Sequence, residues 1–235
     1  MTTIAVISAR GGSKGLKNKN IKLLLNKPLI VWSIEQAKQT PEIDYVFVST
    51  DSDEIMKIAG DSGAIIPFKR PEHLSNSTVG KFDVWKHALD ECEKYLGEKI
   101  TTYVDLDCTN PLRSPSDITK AIELFKDLKE DNIDAVFSVC EARKNPYFNL
   151  VEYDDDENLK ISKIMDSRVV RRQDAPKVFE HVASIYVLKP EFIRTKNNLL
   201  DGRARGYDIG TEKSFDVDSE LDFEIIEFLI KKNYE

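Results

Sequence analysis

The chain alternates short apolar, β-branched runs with longer stretches of helical periodicity. Thr3–Ala9 (TIAVISA) is an apolar run halted by Gly11-Gly12, the pattern of a buried strand. Pro28 then opens an amphipathic helix to about Gln39, with Leu29, Trp32, Ile34 and Ala37 on its apolar face. Tyr45–Ser49 follows as a strand, Ser52 as the cap of a helix over Asp53–Ser62, and Ala64–Phe68 as a third strand. Val79–Leu96 has helical spacing and Thr102–Asp107 (TYVDLD) alternates like a strand. Ser114-Pro115-Ser116-Asp117 is a capping box for a helix to about Leu128, with Ala135–Cys140 as the next strand.

This order predicts an α/β fold, a three-layer α/β/α sandwich around a mostly parallel, Rossmann-like sheet. The rhythm breaks after Cys140. Asn149–Tyr153 and Leu159–Ile164 flank the polar turn Asp154–Asn158, which predicts a hairpin protruding from the sheet. His181–Leu188 resumes the pattern, and Ser219 with Asp222 caps a last helix to about Lys232. The expectation is a single domain over residues 1–235 with an inserted arm at about 141–180.

Composition narrows the function by exclusion. The formal net charge is −7 and no basic run dominates a helix, which argues against general nucleic-acid binding but leaves room for a local basic pocket. The three cysteines are widely spaced and odd in number, and the N-terminus lacks a basic n-region before its apolar stretch. Both features point to a cytoplasmic protein without a disulfide framework. The three histidines have no zinc spacing, and no apolar run approaches the length of a bilayer span.

The chemistry-bearing feature is Ala9-Arg10-Gly11-Gly12-Ser13-Lys14-Gly15, with Lys17, Lys19 and Asn20 behind it. It directly follows the first strand, where open α/β sheets bind ligands at their carboxyl edge. Glycines let backbone N–H groups approach a phosphate chain, and the cations supply countercharge. Neither GxxxxGK[ST] nor GxGxxG fits, so the loop is neither a P-loop nor a dinucleotide fingerprint. Near the other end, Asp216 and Asp218 are one residue apart, so on a strand their carboxylates share a face. Such a pair suits a hard, oxygen-seeking cation such as Mg²⁺ together with substrate phosphates.

These motifs resemble those of the cytidylyltransferases that activate nine-carbon keto-sugar acids, the CMP-sialic acid synthetases and their CMP-legionaminate relatives. The resemblance spans nearly the whole chain: the loop ARGGSKGLKNKNI, then Arg70-Pro71, Thr109–Arg113, Arg172–Asp174 and Phe215–Ser219 in order. Asp107-Cys108 stands where many sialate enzymes carry Gln-Pro, and the RKNPYFN and RRQDAP segments are more similar to the legionaminate branch.

The resemblance implies transfer of CMP from CTP to the anomeric C2 hydroxyl of a nonulosonic acid, with pyrophosphate released, by a homodimer using Mg²⁺. It places Arg10 and Lys19 on the phosphates, with Asp216 and Asp218 as the remaining catalytic, metal-holding groups. Gly11, Gly12, Ser13, Asn20, Arg70, Ser77, Thr78 and Lys81 fall to the nucleotide. Asp107, Thr109, Arg143, Asn145, Tyr147, Phe148, Arg172 and Gln173 fall to the sugar acid, those on the arm reaching either their own pocket or a neighbouring subunit's. The rival readings are transfer to 3-deoxy-octulosonate or a sugar 1-phosphate, and a nucleotide-binding protein without turnover.

Overall fold

A computed structural model describes residues 1–12, 15–128, 130–166 and 169–234. Its strands are β1 (Thr3–Ser8), β2 (Leu23–Leu24), β3 (Lys27–Pro28), β4 (Tyr45–Ser49), β5 (Thr102–Leu106), β6 (Ala135–Glu141), β7 (Val151–Tyr153), β8 (Leu159–Ile161), β9 (Phe179–Leu188) and β10 (Ala204–Asp208). Its helices are α1 (Leu29–Lys38), α2 (Asp53–Asp61), α3 (Lys81–Leu96), α4 (Pro115–Asp127), α5 (Pro190–Thr195) and α6 (Glu220–Tyr234). The central sheet runs β10-β6-β9-β5-β1-β4. Neighbours pair in parallel except β9, which is antiparallel to both β5 and β6.

The alternation of side chains along β1 makes the three layers. Ala5 and Ile7 point into one apolar layer with Ile30 and Ile34 of α1, Ile55 of α2 and Ile118 and Ile122 of α4. Ile4 and Val6 point into the other, with Phe82, Trp85 and Leu89 of α3 and Phe192 of α5. A sheet buried on both faces needs largely apolar strands, which β1 and β4 supply and β5 supplies apart from its buried Asp105. Helix α6 closes a third cluster, in which Phe223 and Ile226 pack with Leu24, Leu29 and Val217.

Three expectations need correction. Ala64–Phe68 does not form a strand: it makes one parallel bridge, Ile65 to Phe47, and stops before Pro67, which has no N–H to extend a ladder. The Asp216–Asp218 segment is not a strand either; its backbone meets the turn after β5 through the Val217 N–H, which donates to the Thr109 carbonyl at 2.8 Å. Strand β10 escaped the sequence reading because ARGYD is polar and carries a glycine. It is an edge strand, and Gly206 is required there because a Cβ would stand 2.7 Å from Val139. The arm does form a hairpin, with Val151 53%, Tyr153 71% and Leu159 63% exposed. Among the described residues no helix is long and apolar enough to cross a membrane.

A buried arginine fixes the turn after β5. The Arg113 guanidinium donates to the carbonyls of Asp107 (2.6 Å) and Asn110 (2.8 Å) and to the Ser33 hydroxyl on α1. Gln36 of α1 donates to the carbonyls of Pro111 (2.9 Å) and Arg113 (2.7 Å). Burial pulls the Arg113 pKa down to about 10, which leaves it charged at neutral pH. Replacing Arg113 by leucine orphans these carbonyls, so Arg113→Leu should lower the unfolding free energy by about 3 kcal/mol or more in urea titration. A loss under about 1 kcal/mol would show that the turn holds itself.

Candidate active site

The carboxyl ends of β1 and β5, with Ala183 of β9, open on one cavity of about 520 Å³. Its walls include Arg10, Gly15, Lys19, Asn20, Arg70, Asn76, Lys81, Asp107, Thr109, Asp216 and Asp218. Residues more than two hundred positions apart thus meet at one sheet edge, as expected of ligand sites in open α/β sheets.

The glycine-rich loop is fastened at both ends. The Gly11 N–H donates to Asp51 Oδ1 at 3.0 Å. Asn20 is buried and donates through Nδ2 to the Arg10 carbonyl at 3.0 Å, while its Oδ1 accepts from the Cys108 thiol at 3.0 Å. Gly15 has a steric reason: a Cβ there would lie 2.5 Å from the Asp218 carbonyl oxygen. At Gly12 a Cβ would meet nothing within 4 Å, and Ser13 lies outside the described residues.

Lys19 ties this loop to the aspartate segment. Its ammonium donates to the Val217 carbonyl at 2.6 Å and to Asp218 Oδ1 at 3.0 Å. Asp218 is largely exposed, whereas Asp216 is half-buried. Burial raises the Asp216 pKa, and the negative charges of Asp218 and Asp107 raise it further. Two carboxylates repelling across a shared cavity are a donor set that suits a hard cation. Among the described residues no three His, Cys, Asp or Glu side chains are grouped to hold a metal, so a cation here would draw its remaining oxygen ligands from elsewhere.

Across the cavity, Arg10 donates through Nη1 to the Asn76 carbonyl at 3.0 Å. Arg70 is buried, donates through Nε to Ser75 Oγ at 3.2 Å, and faces Asp51 at 3.6 Å. Burial lowers its pKa against the support of Asp51. Asp51 was not singled out in the sequence, although its place just past β4 gave the signal: strand ends on this edge are where site groups stand. Ser77 and Thr78 are exposed and do not line the cavity. Thr78 instead bonds Asn76 Oδ1 through its N–H (2.9 Å) and hydroxyl (2.7 Å).

Lys81 sits between two carboxylates, 3.0 Å from Asp105 Oδ2 and 3.0 Å from Asp107 Oδ2, with its ammonium 4.1 Å from the centre of the Tyr186 ring. Asp107 Oδ1 accepts from both the N–H (3.2 Å) and the hydroxyl (2.9 Å) of Thr109. Burial works against the Asp107 carboxylate, but Lys81 and Thr109 outweigh it and hold its pKa at about 2. Burial also works against the Lys81 ammonium, and the two aspartates more than compensate, keeping it charged. Asp105 was missed because the alternation of TYVDLD reads as strand; it is fully buried and its pKa is pushed up by that burial.

The arm residues do not join this cavity within the chain. Asn145, Arg172 and Gln173 line a separate cavity of about 420 Å³ on the arm. Asn145 is buried and used locally, donating to the Pro176 carbonyl (2.9 Å) and accepting from the Tyr147 N–H (2.9 Å). Arg172 donates to the Ala142 carbonyl at 3.1 Å, the Arg143 N–H bonds Glu180, and the Tyr147 ring lies 5.7 Å from the Lys163 ammonium. Phe148 is half-buried beside them.

Comparison with known proteins agrees with this geometry. The family model described as "Cytidylyltransferase" matches residues 4–231. A post-translational flagellin modification protein B of Campylobacter coli is 43% identical over 97% of this chain and 95% of its own length. A CMP-N,N'-diacetyllegionaminic acid synthase of Campylobacter jejuni is 42% identical over 97% and 94%. An N-acylneuraminate cytidylyltransferase of Escherichia coli is 32% identical over 98% of this chain and 52% of its own length. In structure the chain is similar to a CMP:2-keto-3-deoxy-manno-octonic acid synthetase solved with CTP, with a TM-score of 0.74 at 16% identity over 99% of this chain and 100% of that one. With a family model spanning nearly its full length and a phosphate-type loop facing paired aspartates, the chain belongs to the cytidylyltransferase family.

Proposed function

We propose that the chain transfers CMP from CTP to the anomeric C2 hydroxyl of a nonulosonic acid, of the legionaminic or a related sialic type, and releases pyrophosphate. The observation that carries this reading is the meeting of Arg10, Lys19 and Arg70 with Asp216 and Asp218 across one cavity. In the reaction the C2 oxygen attacks the α-phosphorus, the bond to the pyrophosphate oxygen breaks, and the hydroxyl proton leaves to solvent. Arg10 and Lys19 neutralise charge on the phosphates as it shifts, which is where electrostatic catalysis acts. Asp216 and Asp218 would hold a divalent cation such as Mg²⁺, whose charge, when bound, offsets that of the phosphates. The two 42–43% identical relatives support a legionaminate-type acceptor, since one of them carries that activity in its name.

The exposed Val151, Tyr153 and Leu159 of the hairpin suit a homodimer in which the 141–180 arm of one copy reaches the cavity of the other. Arg143, Tyr147, Phe148, Arg172 and Gln173 then serve the acceptor of the neighbouring site. A CTP-consuming enzyme whose three cysteines are buried free thiols fits a cytoplasmic setting.

With CTP, Mg²⁺ and a panel of legionaminic, sialic, pseudaminic and 3-deoxy-octulosonic acids and glucose 1-phosphate, pyrophosphate release should follow the nine-carbon acids. Silence with all of them refutes the reading. Asp218→Ala should lower kcat by about a hundredfold or more, because it removes both the cation ligand and the partner of Lys19. Gly15→Ala should weaken CTP binding at least about tenfold in calorimetry, since its methyl must push the loop off the Asp218 carbonyl. Light scattering should give twice the chain mass, and the paired change Tyr153→Asp with Leu159→Asp should halve it; an unchanged mass places the interface elsewhere.

A further inference from the structure

The thiol of Cys108 has no part in the chemistry proposed above, yet it is buried among the walls of the sheet-edge cavity and bonded to the glycine-rich loop. Its partner, Asn20, lies in the short turn Lys19–Ile21 that ends the loop. Asn20 Nδ2 reaches back ten positions to the Arg10 carbonyl, 3.0 Å away, so one side chain closes the loop on its own start. The two ends joined in this way carry the cations assigned to the phosphates. Arg10 is the acceptor of the closing bond, and Lys19 directly precedes Asn20. How firmly this amide is held therefore bears on the spacing of both cations.

An asparagine amide can turn over and exchange its oxygen for its nitrogen. Here the Arg10 carbonyl accepts only, so Nδ2 faces it and Oδ1 faces Cys108. Among the described residues the Cys108 thiol is the donor that Oδ1 receives, at 3.0 Å. Asn20 is 5% exposed, so without that donor a carbonyl oxygen is left buried and unpaired, a cost the amide escapes only by leaving its place. Burial pushes the thiol pKa up to about 12, with Asp107 adding to the rise, so the group remains a donor through the neutral range. Its own position is firm, because Arg113 holds the carbonyl of the preceding residue at 2.6 Å. Proline, which stands here in many sialate enzymes, has no such donor to offer.

We propose that Cys108 is a positioning residue for nucleotide binding: its thiol fixes the Asn20 amide, which clasps residues 10–20 so that Arg10 and Lys19 face the triphosphate together. This rests on the reading of the cavity as a CTP site and adds a determinant that carries no charge. No bond is made or broken at sulfur. A loop that holds the competent arrangement for only a fraction of the time binds correspondingly weakly, since apparent affinity scales with that fraction.

The test uses two donor-free variants, Cys108→Ala and Cys108→Pro, the second bearing the residue that the related enzymes place there. Cys108→Ser restores a donor. Cys92→Ala is the control: Cys92 is buried in α3, and its loss costs packing without touching the loop. In calorimetry the donor-free variants should bind CTP about fivefold or more weakly, while Cys108→Ser and Cys92→Ala stay within about twofold of the unaltered protein. Peptide-resolved hydrogen exchange without nucleotide should quicken over residues 9–20 in the donor-free variants alone. A merely structural thiol would lower stability in urea for Cys108→Ala as for Cys92→Ala and move neither of these readouts. Undiminished CTP affinity in the donor-free variants, a serine variant as weak as the alanine one, or unchanged exchange over 9–20 overturns the proposal. If the unaltered protein binds no CTP, the nucleotide reading itself fails, and the exchange data still report whether Cys108 holds the loop.

Discussion

The site hangs from the turn after β5, and the turn hangs from Arg113. A guanidinium placed under the sheet edge gathers the carbonyls of Asp107 and Asn110, and Gln36 gathers those of Pro111 and Arg113, so the turn is pinned to α1 without regular secondary structure. From that turn Thr109 carries Val217 through one backbone bond, and Asn110 Nδ2 holds the Lys213 carbonyl at 2.8 Å. Lys19 then reaches the Val217 carbonyl and Asp218. The glycine-rich loop, the paired aspartates and Asp107 are thereby fixed relative to one another through a buried group that touches none of the reacting atoms. Buried cations of this kind do not have to add stability to be retained; here Arg113 sets a geometry that an apolar side chain has no donors to specify.

What was legible in the sequence follows from how local its cause is. β1 and β4 are written in runs of apolar β-branched residues, and the Ser114–Asp117 capping box is closed as its spacing implies. The glycine-rich loop was readable because its glycines and cations are contiguous, and Gly15 proves sterically necessary against a residue two hundred positions away. β10 was not readable, because an edge strand needs only one neighbour and tolerates the polar sequence ARGYD. The strand argument for the aspartate pair does not apply, since Phe215–Asp218 makes no ladder, although the motif itself stood in the resemblance. Both carboxylates still reach one cavity, because Val217 between them is anchored in the α6 cluster and turns its neighbours outward.

Lys81 shows what a sequence leaves out. A lysine near a phosphate-type loop reads as a nucleotide ligand before its partners are known; of those partners Asp107 was visible, and Asp105, 24 positions away on β5, was hidden by the strand's alternation. The arm residues show the same limit: Asn145 was assigned to the sugar acid, and within the chain its amide bonds the arm's own backbone. Charge type is visible in a sequence; whether that charge is already matched is a tertiary fact.

Matching also resolves how an acidic chain of net charge −7 admits two anionic substrates. Net charge acts at long range and is screened over about 10 Å, whereas the cavity sets potentials over single hydrogen-bond lengths. Within it, Arg10 stands close enough to Arg70 to add to the lowering of the Arg70 pKa that burial causes. At the other end the Lys81 ammonium is already held between Asp105 and Asp107. The sign of the chain as a whole therefore says little about the sign of the potential where a ligand binds.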